Sequence, residues 1–224
     1  VPSEIASAET RSQCELRIAR VEQQRRHLWI PGRRQRLVCE YYDIGYASRE
    51  IEALDLAEKS FRTAISLMNG RRPWRLKRSL KTFSIVAACH NLLGLQYLDA
   101  HRLVDAAAAF DEAIRLRREL RRLFPKDREN EVYLGGTLCN RGHASAETNA
   151  AAATEFYNQS LDVLRQPNRT CECSYWDEQR QSWWCDQLEA LGAAIGLPWV
   201  HLAPHFIDNA MDGLRSLEAR SKSV

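Results

Sequence analysis

An all-α chain built as a stack of antiparallel helix pairs is what the sequence predicts, and three observations carry that reading. Helical periods dominate, and no run in the 224 residues alternates apolar and polar side chains in the manner of a strand. A set of small and aromatic residues recurs, with Gly45 followed by Ala57, Phe61 and Ala64, and Gly94 followed by Ala106, Phe110 and Ala113 at the same intervals. The glycines Gly45, Gly94, Gly142 and Gly192 return every 48 to 50 residues, which marks a repeat architecture.

These residue types have a mechanical purpose. Two antiparallel helices approach closely only where side chains are small, so the glycine of the first helix is expected to face the alanine of the second. The ring at Phe61, Phe110 or Tyr157 then fills the space beside that crossing, and the second alanine admits the next pair. A glycine inside a helix costs roughly 1 kcal/mol against alanine, so matched glycines signal a packing need. One hairpin leaves an apolar face open, and stacking hairpins covers it.

Along the chain, a first helix is expected from about Ser3 to Leu28, stopped by Pro31-Gly32, so that residues 1–30 precede a repeat domain over 31–224. Helix pairs follow over about 33–69, 79–125, 127–165 and 174–218. Asp127 and Asn149 stand where N-caps belong, and Gly70 and Gly196 where C-terminal glycines belong. The third unit runs Gly142, Ala153, Tyr157, Ser160, and the fourth Leu191-Gly192, Ala203, Ile207, Ala210, each with its first interval one residue shorter. Pro198 and Pro204 make the fourth the least regular.

The set Leu93-Gly94, Tyr97, Ala106, Phe110, Ala113 resembles the tetratricopeptide repeat (TPR), with His90 at the position of a large apolar residue. The long period is similar to the extended repeats of kinesin light chains. The stretch Val132 to Asn140 with Gly142-His143 resembles TPR regions attached to some bacterial serine/threonine kinases, although no kinase motif occurs. The likeness implies a TPR-like α-solenoid of about four helix pairs plus an N-terminal helix, with a concave face that binds proteins. It also implies groove residues three before and one after each glycine: Tyr42 and Tyr46, Asn91 and Leu95, Cys139 and His143, Glu189 and Ala193. TPR domains that hold a terminal carboxylate carry lysine, asparagine and arginine at such positions. Asn91 alone fits here, so an apolar segment or amphipathic helix is the expected occupant. The chain's own first helix, folded back as a plug, would suit the same groove.

Composition limits the alternatives. The net charge of +3 conceals a basic half, about +9 up to Arg128, and an acidic remainder of about −6. Arg71 to Arg78 encloses Trp74, where a ring could stack on a base while cations meet phosphate. A nucleic-acid-binding helical repeat is therefore the alternative function, although acidic residues interleave with the basic ones and a linker whose Trp74 tucks under the helices is the preferred reading of the segment. Trp176, Trp183 and Trp184 could form a stacking platform or seal the end of the stack. No stretch is long and apolar enough to span a bilayer, and no membrane partner is expected.

Seven scattered cysteines read as reduced thiols of a cytoplasmic protein. Cys171, Cys173, Cys185, His201 and His205 carry ligand chemistry, and a metal-dependent regulator is the third reading. Their spacing matches no zinc module, and Cys171 and Cys173 in a polar linker with Cys185 packed in the following helix explain them, so no metal and no cofactor are expected. No phosphate loop, dinucleotide fingerprint or nucleophile elbow occurs, and no enzymatic activity is expected. The leading expectation is a scaffold or adaptor for another protein, self-association being open.

Overall fold

A computed structural model describes residues 10–30, 32–68, 80–165, 175–177, 182–184 and 199–222. The fold is all-α, and its contacts divide it into two compact units, Val1–Gln96 and Tyr97–Val224.

In the first unit, α1 (Arg11–Gln24) opens on a reciprocal cap. The Thr10 hydroxyl accepts the Gln13 N–H, and the Gln13 side chain accepts the Thr10 N–H at 2.6 Å. Cys14, Ile18 and Val21 are buried at helical spacing and face α2 (Arg33–Glu50). Between them runs a 3-10 turn, Arg25–His27, and Gly32 takes φ 77°, a left-handed conformation that favours glycine, at the start of α2. A tight turn leads into α3 (Leu54–Met68), which packs back on α2. Its apolar stripe, Ala57, Phe61, Ala64 and Leu67, is buried. The next helix, α4 (Leu80–Asp99), runs across the division, and within the first unit its Gln96 side-chain N–H donates to the Leu54 carbonyl at 2.8 Å.

The second unit holds α5 (Leu103–Leu123), α6 (Arg128–Ser145), α7 (Ala150–Leu164) and α8 (Trp199–Ser221). The long helix expected through Arg115 to Leu120 is present, ending where the Phe124 N–H reaches the Leu120 carbonyl at 2.7 Å. Both expected N-caps form: Asp127 accepts from the Asn130 N–H at 3.2 Å, and Asn149 from the Ala152 N–H at 3.0 Å. Asp127→Ala should cost about 1 kcal/mol, because one of the free donors at the start of α6 loses its partner. A urea midpoint unmoved by that change would show the cap to be idle.

The repeat register holds inside each unit, with one correction to its mechanics. A Cβ on Gly45 would lie 2.6 Å from the Phe61 ring, and one on Gly142 would lie 2.6 Å from the Tyr157 ring. The glycine therefore makes room for the aromatic ring itself and not chiefly for the alanine. Ala57, Ala153 and Ala64 are fully buried around that contact. At the position of the second alanine, Ser160 donates its hydroxyl to the Gly135 carbonyl at 2.8 Å, so α7 meets the backbone of α6 directly.

The fourth unit departs from expectation. Where its first helix should begin, Tyr175–Asp177 (β1) and Ser182–Trp184 (β2) form an antiparallel pair, with Trp176 opposite Trp183 and Tyr175 opposite Trp184. Aromatic residues have high strand propensity, and here that local preference prevails over the repeat. Downstream, α8 runs through Pro204 and packs on both α6 and α7. A Cβ on Gly136 would lie 2.5 Å from the Phe206 ring, and one on Gly213 would run into Tyr157. A helix that covers both members of the preceding pair does what a following unit's first helix would do. Gly70, Gly196, Glu189 and Ala193 lie outside the described residues.

Candidate functional site

The expected groove positions fall into two groups, one in each unit. In the first, Tyr42 and Tyr46 sit one turn apart on α2, with rings 6.4 Å apart. Tyr42 also lies 6.4 Å from the buried ring of Phe61, so three aromatics lead from the core to the surface. Tyr46, at the outer end, is 46% exposed. Asn91 and Leu95 are half-buried on α4.

The described part of the first helix does not act as a plug over these tyrosines. It rests on another side of α2: its Glu22 and Arg25 reach Tyr41, and Arg17, Arg20 and Val21 line a cleft with Glu40 and Ile44. Burial first, and Glu22 second, push the Tyr41 phenol up to about 12.

In the second unit the outcome differs. Cys139 is fully buried and cannot line an open groove, because α8 packs over this region of α6. Its thiol lies 3.5 Å from His143 Nε2, and the Tyr157 hydroxyl lies 2.8 Å from His143 Nδ1. Burial pushes both the Cys139 thiol and the Tyr157 phenol up to about 12, and it holds the His143 imidazole below its ordinary 6.5. The cysteine is thus a protonated thiol beside a neutral imidazole, which is the opposite of an activated nucleophile. His143 and Tyr157 border a cavity of about 300 Å³ with Asn209, Ser216 and Arg220 of α8. The sequence does not reveal this cavity, since α8, distant in the chain, closes it over the neighbouring α6 and α7. The adjacent Gly135-Gly136 within a helix was the one signal of close packing from two sides.

A pH dependence follows from His143. Above the ordinary value of 6.5 the imidazole is neutral in both folded and unfolded chains. As the pH falls through that value the unfolded chain takes the proton first, so stability declines until the pH passes below the depressed folded value. His143→Gln should flatten this acid slope in urea titrations between about pH 7.5 and 5. Parallel slopes for the two proteins would remove His143 as its source.

Metal ligation and nucleic-acid contact gain no geometry here. Among the described residues no group of three or more His, Cys, Asp or Glu is placed to hold a metal ion. Cys171, Cys173 and Cys185, with the His201 side chain, lie outside the described residues, while His205 is exposed and lies 3.1 Å from the Asn209 side-chain nitrogen. The basic run on α5 is largely engaged within the fold. Arg115 pairs with Glu112 at 2.6 Å, Arg118 donates to Gln159 at 2.8 Å, and Arg121 reaches Glu131, as does Arg128 at the start of α6. Trp74 and its neighbours are outside the described residues. Cys14, Cys39, Cys89 and Cys139 are free thiols, and no helix among the described residues is long and apolar enough to cross a membrane.

Comparison of the chain with models of known families, with curated proteins and with solved structures gives no match.

Proposed function

We propose that this chain is a tetratricopeptide-type scaffold or adaptor that holds a peptide or an amphipathic helix of a partner protein against the first-helix surface of its repeats. The observation that carries the reading is Tyr46. A ring nearly half exposed stands one residue after the repeat glycine, backed by Tyr42 and by the core ring of Phe61. Large rigid rings of this kind supply contact area at small entropic cost, and they recur as anchors in interfaces. The same glycine-to-ring contact at Gly45 and Gly142 supports the tetratricopeptide assignment. Leu95, at the equivalent position of the next repeat and half-buried, supplies a second apolar contact.

The test begins with the protein that the full chain captures from the native cell extract, identified by mass and then purified. Tyr46→Glu and Leu95→Glu should each weaken its binding at least about tenfold, because a charge desolvated without a partner is costly. Melting temperatures should stay near the parent value for Tyr46→Glu, whose side chain is exposed. Replacing Arg71, Arg75 and Lys77 by glutamine should leave the affinity unchanged. Loss of binding in that triple variant, with a steep decline of affinity in salt, would instead support the nucleic-acid reading. Unaltered partner binding in both glutamate variants would sink the groove.

A further inference from the structure

The turn between α1 and α2 has a composition unlike any other described connection. From Arg25 through the first turn of α2 at Arg36 the chain carries five arginines and no acidic residue, with Leu28-Trp29-Ile30 between them. Two backbone turns shape it: the Ile30 N–H reaches the His27 carbonyl at 3.1 Å, and the Arg33 N–H reaches the Ile30 carbonyl at 3.1 Å. Gly32, at φ 77°, then directs the chain into α2. The result holds the indole of Trp29 in the solvent, 79% exposed, with the His27 ring edge-on at 6.5 Å. Leu28 and Ile30 beside it are only half covered.

An exposed tryptophan is rare, and burying it against an apolar layer would be favourable. Its surroundings are cationic. Arg25 is occupied by Glu22 at 3.1 Å and Arg33 by the Gln24 side chain at 3.2 Å, while Arg26 and Arg36 are exposed and Arg34 is partly so. We infer that this turn docks on an anionic lipid surface, with Trp29 seated at the headgroup level and Arg26, Arg34 and Arg36 meeting lipid phosphates and carboxylates.

The layering argues for lipid over a nucleic-acid strand. An exposed indole between aliphatic residues, with arginines close on either side in the chain, matches the step from acyl chain to headgroup, where indole rings prefer to lie. Strand-binding surfaces line up several rings for successive bases. Here the residues flanking Trp29 are aliphatic and offer no stacking face. Peripheral docking of this kind needs no spanning segment, so it is compatible with the absence of one among the described helices. It is also separate from the Tyr46 surface, and either can fail without the other.

The experiment is co-sedimentation of the full chain with vesicles of phosphatidylcholine alone and of phosphatidylcholine with about a third phosphatidylserine. A single-stranded DNA oligonucleotide of mixed sequence is titrated in parallel. Binding is expected only to the anionic vesicles and should weaken as salt rises. Trp29→Ser should reduce it on the order of tenfold, and each of Arg26→Gln, Arg34→Gln and Arg36→Gln by about fivefold. Because Trp29 is exposed, its replacement should leave the melting temperature unchanged. Equal sedimentation of the parent and Trp29→Ser overturns the proposal. So does failure to bind anionic vesicles, and oligonucleotide binding lost in Trp29→Ser would then assign the turn to nucleic acid.

Discussion

Replacing Tyr157 with alanine is expected to lower the stability of the second unit by about 3–5 kcal/mol. The ring is 1% exposed and lies between two glycines, Gly142 of α6 and Gly213 of α8. Truncation would leave a void whose walls include two positions without side chains, so little can collapse into it. The phenol's contact with His143 Nδ1 would be lost as well, leaving a half-buried imidazole without that partner. Urea denaturation followed by circular dichroism measures the change. A loss below about 1 kcal/mol would mean that Tyr157 does not hold these three helices together.

The reverse substitution on the same contact should be nearly as damaging. Gly213→Leu forces a branched side chain into the space the Tyr157 ring fills, and a cost of about 3 kcal/mol is expected. Hydrogen exchange should localise the damage, with the amides of α8 losing protection before those of α6 and α7. The two changes should also couple. In the double variant the leucine occupies part of the void left by the ring, so the combined loss should fall short of the sum by about 0.5–3 kcal/mol. Strict additivity would refute the contact.

Much of this architecture was legible because it is written at short range. The Gly45, Ala57, Phe61, Ala64 interval encodes which face of one helix meets which face of the next, and both faces are buried as expected. Asp127 and Asn149 were readable for a similar reason, since a cap is a bond between residues three apart. The orientation of the glycine toward the ring was not, because small and aromatic residues one turn apart on the second helix fit the same spacing. Nor could the interval tell that α8 would lie across both α6 and α7. That outcome depends on Phe206 meeting Gly136 and on Tyr157 meeting Gly213, and these pairs are separated by tens of residues in the chain. Cys139 was misplaced on the groove for this reason: an equivalent repeat position is exposed or covered according to the next helix. Trp29 illustrates the opposite limit. A tryptophan among arginines in a turn reads alike whether it tucks in or stands out.

The junction of α5 with α6 differs from the small-residue crossings around it. Arg117, only 3% exposed, points its guanidinium at the Asn130 side-chain oxygen at 3.4 Å, and the Asn130 amide donates back to the Arg117 carbonyl at 3.0 Å. The guanidinium also lies 4.9 Å over the Tyr133 ring. An apolar seam between two helices can slide by one turn, about 5.4 Å, and still match carbon to carbon. A slip of that size here would carry a cation and an amide away from their partners with no water to replace them. The contact therefore acts as an index mark: it adds little net cohesion, yet it makes every neighbouring alignment of α5 on α6 far less favourable than the native one.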